Sequence, residues 1–189
     1  RMGPFRGSIL NAAISAVDIA LWDIKGKYLS APIWMLIGGK VRDKIRLHLL
    51  MGGSRPDASD LGTTAENLRL NAIDARNEGY TAIKIDPLPD GYQSMTLSRL
   101  VSETKNNVAA LREGAGLDVD IILEIHRKLT PMNAIALAEE LKEFSPLFYE
   151  DPIQIDSIKS QGEIANKTSS PVANGERMHN IWEFREMFE

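Results

Sequence analysis

A chain of 189 residues with a net charge of −4 and no cysteine has room for one domain with a substantial core, and it excludes disulfides and thiolate metal sites. Charge this balanced favours neither nucleic acid nor an anionic membrane surface as a partner. No apolar run approaches the ~20 residues of a membrane span, Arg1-Met2-Gly3-Pro4 lacks the apolar stretch of a signal peptide, and the cysteine-free composition fits a reducing cytoplasm.

In chain order, Ile9, Ala13, Ala16, Ala20 and Ile24 recur at helical spacing and predict an amphipathic helix over residues 8–28, closed by Gly26 and Ser30-Ala31-Pro32. Ile33 to Ile37 reads as a short helical turn stopped by Gly38-Gly39. A first strand is predicted over Ile45 to Met51, ended by Gly52-Gly53, then a polar loop from Ser54 to Gly62 and a helix from Thr64 to Glu78. The second strand spans Tyr80 to Ile85, and a long helix follows from Met95 to Glu113 with Leu97, Leu100, Val101, Val108 and Leu111 inward. A third strand at Val119 to Ile125 leads to a helix with Thr130 as N-cap and Pro131 at its first position, and with Ala134, Leu137, Ala138 and Leu141 as its buried stripe. Leu147 to Glu150 and Pro171 to Asn174 are the fourth and fifth strands. Their helices run from Ser157 to Lys167 and from about Asn180 onward.

This alternation predicts an α/β fold: a partial TIM (β/α)8-type barrel, about five βα units of the eight, preceded by a helix. Residues 1–43 form the leading helix and linker, and 44–189 the first five βα units. An N-terminal capping domain and the last barrel strands are expected to be absent. Ile181 to Glu189 reads as a helix in progress, without a C-cap glycine, as if cut from a longer protein.

Three glutamates carry the chemistry. Glu124, Glu150 and Glu176 are equally spaced (150 − 124 and 176 − 150, 26 residues each), and each ends a short apolar or β-branched run. Strand ends of a parallel barrel converge on one mouth, so three carboxylates there make an oxygen-only pocket suited to Mg2+. Lys84 and Asp86, two apart near the end of the second strand, share a face. A lysine there can act as a base or stabilise an anion, while the plainer alternative is an ion pair or a helix-capping Asp86. His126 lies two residues beyond Glu124 and faces the same way if the strand persists; beside a metal carboxylate it is placed for acid–base work, or else it packs. Arg127 is a candidate to meet a substrate carboxylate, Arg177 either meets an anion or pairs with the neighbours of Glu176, Lys128 reads as a solvated loop charge, and His48 as a satisfied interior histidine rather than a barrel-lining one. Trp22, Trp34 and Trp182 read as packing residues.

The segments Ser15 to Lys27, Leu36-Ile37-Gly38-Gly39, Lys84-Ile85-Asp86, Glu124-Ile125-His126, Glu150-Asp151-Pro152 and Asn174-Gly175-Glu176-Arg177 resemble the enolase superfamily, in its mandelate racemase and muconate-lactonizing branch. The resemblance covers essentially the whole chain. It implies that Glu124, Glu150 and Glu176 bind one Mg2+ that holds a substrate carboxylate, while a base removes the proton alpha to it. An acid-x-His at the third strand is similar to the galactonate- and gluconate-type acid-sugar dehydratases, which makes His126 the donor of a proton to the departing hydroxyl.

The implied activity is a Mg2+-dependent aldonate dehydratase, a hydro-lyase giving a 2-keto-3-deoxy acid. Catalytic residues are His126 and Lys84, with Asp86, Arg127 and Arg177 at the substrate. The partner is a small-molecule sugar acid, and a homo-oligomer is expected. Racemase-type members carry a second lysine where this chain has Asp86, which favours dehydration over racemisation or epimerisation with Lys84 as base. The dehydratases' base is a histidine on the seventh strand, which residues 1–189 do not supply. The other alternative is therefore a non-catalytic barrel fragment needing a partner, inactive alone, with open strand edges and with Leu100, Leu137 and Leu141 partly uncovered.

Overall fold

A computed structural model describes residues 8–51, 64–155 and 157–189. The polar loop expected from Ser54 to Gly62 lies outside the described residues. The chain divides into two compact units, one of residues 1–46 with 177–185 and the other of residues 47–176 with 186–189.

In the first unit α1 (Ser8–Tyr28) and α2 (Ile33–Leu36) are joined by a turn in which Ala31 N–H donates to Gly26 O at 2.9 Å. Gly26 is required there: a Cβ would stand 2.9 Å from Ala31 O. The last helix, α7 (Ile181–Phe188), begins on Asn180, whose side-chain oxygen accepts from the N–H groups of Trp182 and Glu183. Glu183 reaches back to the His179 N–H at 2.6 Å, a reciprocal cap. Trp34 and Trp182, expected to pack, are exposed, and Trp22 is partly buried with the Lys25 ammonium over its ring.

The second unit is a five-stranded parallel sheet in sequential order: β1 (Leu49–Leu50), β2 (Ala82–Ile85), β3 (Asp120–Glu124), β4 (Phe148–Glu150) and β5 (Val172–Ala173). Its connecting helices are α3 (Ala65–Asn77), α4 (Leu97–Ala115), α5 (Pro131–Leu141) and α6 (Ile158–Lys167). Each starts on a hydroxyl: Thr64, Thr96, Thr130 and Ser157 accept from the backbone N–H three residues on. Such a cap satisfies one of the N–H groups a helix start leaves orphaned. The first strand is shorter than predicted. Residues 45–48 are exposed, and His48, read as an interior histidine, is exposed with them.

Period-two alternation sorts the strands. Ile83, Ile85, Ile121, Leu123, Ile125 and Tyr149 join one core with Leu100, Val108, Leu111, Leu137 and Leu141 of the helices. Leu100, Leu137 and Leu141 are therefore buried under their own sheet rather than uncovered. The opposite face carries Lys84, Glu124 and Glu150. Register is held partly by Arg112, whose guanidinium donates to the carbonyls of Gly116 and Val119 (both 2.8 Å), Phe144 (2.9 Å) and Ser145 (3.3 Å). One side chain thus ties the end of α4 to the loops that start β3 and β4.

Helices α3 and α4 meet across Gly114. A Cβ there would stand 2.2 Å from Arg69 O and 3.0 Å from the Ala72 Cβ. Gly114→Ala should therefore destabilise the protein by about 1–3 kcal/mol in chemical denaturation, the cost of overpacking. Gly162, in the exposed middle of α6 with nothing near its added Cβ, should tolerate alanine and gain up to about 1 kcal/mol.

Candidate active site

Lys84 lies in register with Ile122, and Glu124 with Glu150, so one lysine and two carboxylates stand on the same face of three neighbouring strands. The Lys84 ammonium bridges Glu124 Oε2 at 2.8 Å and Glu150 Oε2 at 2.7 Å. Glu124 is almost wholly buried, and its other oxygen accepts the His126 N–H at 2.9 Å. Burial opposes ionisation of Glu124, but Lys84 and that N–H together hold it below its ordinary value. Glu150 goes the other way. Burial is the largest influence on it and raises it, the adjacent Glu124 charge adds to the rise, and the shared Lys84 does not cancel the two together. The one ammonium is thus shared unequally: Glu124 is held down and Glu150 is not. Lys84 itself is pulled down by burial yet held above its ordinary value by the two carboxylates, so as it lies it is a cation rather than a base.

Beyond the strands the chain turns sharply. His126 (φ 53) and Arg127 (φ 61) are successive non-glycine residues in the left-handed region, and Asp151 (φ 43) repeats this one strand later. The expectation that His126 follows strand alternation is corrected here: β3 ends at Glu124, and the turn sets the ring's direction. Its Nδ1 lies 3.3 Å from Asp86 Oδ2. Asp86 also pairs with Lys128, whose ammonium sits 5.7 Å from the centre of the Tyr92 ring. Lys128 is thus an ion-paired member of this cluster, not the solvated charge expected.

Arg127 binds Asp151 Oδ2 at 3.0 Å and pairs with Glu176. Asp151, a residue whose role its sequence context does not reveal, is buried, and burial with the nearby Glu124 charge raises its carboxyl. Glu176 follows β5 by a short loop rather than ending the strand, because Ala173 is the residue in register with Glu150. Arg177 is exposed and belongs to the other compact unit.

The structure therefore brings Glu124, Glu150 and Lys84 together, sets Asp86 with His126 and Lys128, and places Glu176 on Arg127. Among the described residues no three His, Asp or Glu side chains converge into a metal cage as they lie. The donor chemistry nonetheless fits a hard cation. Glu124 and Glu150 offer carboxylate oxygens in register and already enclose one positive charge, and Glu176 adds a third carboxylate from the same edge of the sheet.

A parallel sheet in sequential strand order, with ionisable groups gathered past the C-terminal ends of its strands, has the architecture of a β/α barrel. Residues 67–189 match the family described as enolase C-terminal domain-like, and residues 5–38 match the N-terminal domain of mandelate racemase / muconate lactonizing enzyme. The chain belongs to this enolase superfamily, in its mandelate racemase and muconate-lactonizing branch. It is 38% identical over 193 residues to a D-galactonate dehydratase of Klebsiella pneumoniae (strain 342), covering all of this chain and 47% of that protein. A member of the enolase superfamily from Salmonella Typhimurium superposes with a TM-score of 0.86 at 33% identity, over 95% of this chain and 49% of that one. An enolase from Agrobacterium radiobacter, bound to sodium and L-malate, gives 0.82 at 27% identity, over 96% and 44%. The chain spans about half the length of these relatives. No described helix is long and apolar enough to cross a membrane.

The Arg127–Asp151 pair is testable by stability alone. Only 13% of the Arg127 side chain and 5% of the Asp151 side chain are exposed. Arg127→Ala strands a buried carboxylate and should cost about 3 kcal/mol in chemical denaturation, the low end for breaking a buried pair. Arg127→Lys keeps the charge but not the guanidinium that meets both Asp151 and Glu176, and should recover only part of it.

Proposed function

We propose that the parent protein is a Mg2+-dependent sugar-acid dehydratase acting on an aldonate. The observation that carries this reading is the in-register pair Glu124 and Glu150 around one cation, with an acid-x-His placing His126 directly beyond the first of them. The similarity to a D-galactonate dehydratase supports the substrate class.

Glu124, Glu150 and Glu176 would hold Mg2+, which as a Lewis acid polarises the carboxylate of the bound sugar acid and acidifies its C2–H. Lys84, on the same face of the sheet, steadies negative charge on the substrate. The C2 proton goes to a base the family resemblance places on a later strand. His126 gives a proton to the C3 hydroxyl, which leaves as water, and the enol that remains becomes the 2-keto-3-deoxy acid. A two-lysine racemase or epimerase is disfavoured by Asp86, which stands where racemase-type members carry the second lysine.

Incubating the full-length protein with a panel of aldonates should yield a keto acid from at least one of them. Activity should disappear with a chelator and return with Mg2+. His126→Asn should cut dehydration by ~10²–10⁴-fold, the usual worth of a general acid, while C2-proton exchange with solvent deuterium falls far less. An epimerised aldonate with no keto acid would reverse the assignment. The 189-residue polypeptide alone is expected to give no turnover.

A further inference from the structure

Sequence order hides a contact between the ends of β2 and β3. Asp86 and His126 are 40 positions apart, yet Asp86 Oδ2 lies 3.3 Å from His126 Nδ1. We infer that Asp86 is a positioning residue that fixes the orientation and tautomer of the His126 ring, so that Nε2 is the nitrogen presented to substrate. This rests on the reading of His126 as proton donor and deepens it.

Three observations support it. The carboxylate is itself pre-set: its Oδ1 accepts the Leu88 N–H at 3.2 Å, and the next residue, Pro87, has its carbonyl held by the buried Asn107 amide at 3.0 Å. Oδ2 is therefore aimed outward by a structured turn. Packing does not hold the ring, since 44% of the His126 side chain is exposed. Its backbone is pinned in the left-handed region by the Glu124 contact, which leaves rotation about the side-chain bonds as the remaining freedom. Lys128 pairs with the same Oδ2 from two residues further on and sits over Tyr92, so the acceptor is held from both sides. An ionised carboxylate can only accept, so a hydrogen bond here requires the proton on Nδ1. The partner of one ring nitrogen decides what the other can do. With Nδ1–H committed to Asp86, the exchangeable proton is delivered from Nε2.

The test uses full-length protein labelled with 15N-histidine, with the His126 resonances assigned by their loss in His126→Asn. Neutral His126 should carry its proton on Nδ1 in the wild type. Asp86→Ser keeps a short oxygen for the Leu88 N–H but falls short of the ring; it should move the proton to Nε2. It should also lower the ratio of dehydration to C2 exchange by ~10-fold or more, the scale seen when a supporting contact is removed. In the His126→Asn background Asp86→Ser should lower that ratio no further. A wild-type ring protonated on Nε2, or an Asp86→Ser ring still protonated on Nδ1, overturns the inference, as does an equal fall in both reactions. If His126→Asn alone loses both reactions equally, the proton-donor reading fails, and the wild-type tautomer still decides whether Asp86 orients the ring.

Discussion

The Lys84 ammonium between Glu124 and Glu150 is the interaction on which this end of the molecule depends. Parallel register puts the two glutamates directly opposite each other on neighbouring strands. Like charges in that position repel, more strongly with Glu124 shut away from water. A cation must lie between them, and β2 supplies it from one rung back. The sharing is unequal: Glu124 also accepts a backbone N–H from His126 and is held below its ordinary value, while burial raises Glu150. Two carboxylates thus share one lysine, an arrangement that fits the hard cation and anionic substrate proposed above.

The loops around that pair are conformationally expensive. Three non-glycine residues, His126, Arg127 and Asp151, sit at positive φ within two adjacent loops. Such residues persist only where their surroundings over-determine them, and they cluster at functional sites. Here the surroundings can be named. Arg127 N–H donates to Asp151 O at 2.6 Å, Leu129 N–H to Pro152 O at 3.3 Å, and the Arg127 side chain pairs with Asp151 and Glu176. Each loop braces the next, and the helices behind them start on hydroxyl caps that fix where each loop ends.

Much of this was legible in the chain. Thr64, Thr130 and Ser157 marked helix starts that the structure keeps, because an N-cap is a local device whose partner lies three residues away. The apolar runs located all five strands, although residues 45–48 do not join β1, since a buried face rather than β-branching decides how far a strand extends. The equal spacing of the three glutamates was informative for a reason only half correct. The first interval reflects register, Glu124 opposite Glu150, whereas the second overshoots it, because Ala173 and not Glu176 is opposite Glu150. What the sequence could not show was pairing across long separations. Asp86 with His126 and Lys128, and Arg127 with Asp151, depend on how loops from different strands fold over the same edge, and no periodicity encodes that. The left-handed turn at His126 was hidden too, since neither residue in it is glycine or asparagine.

In the proposed function the carboxylates of Glu124 and Glu150 at two strand ends and of Glu176 in the loop after β5 serve one ion. Calorimetric titration of Mg2+ into the full-length protein and into Glu124→Gln, Glu150→Gln and Glu176→Gln measures this most directly. One ion per chain should bind the wild type, and each substitution should weaken it by about tenfold or more, equivalent to about 1.4 kcal/mol. A variant that binds Mg2+ as tightly as the wild type, with the same stoichiometry, would remove that glutamate from the centre and contradict the account.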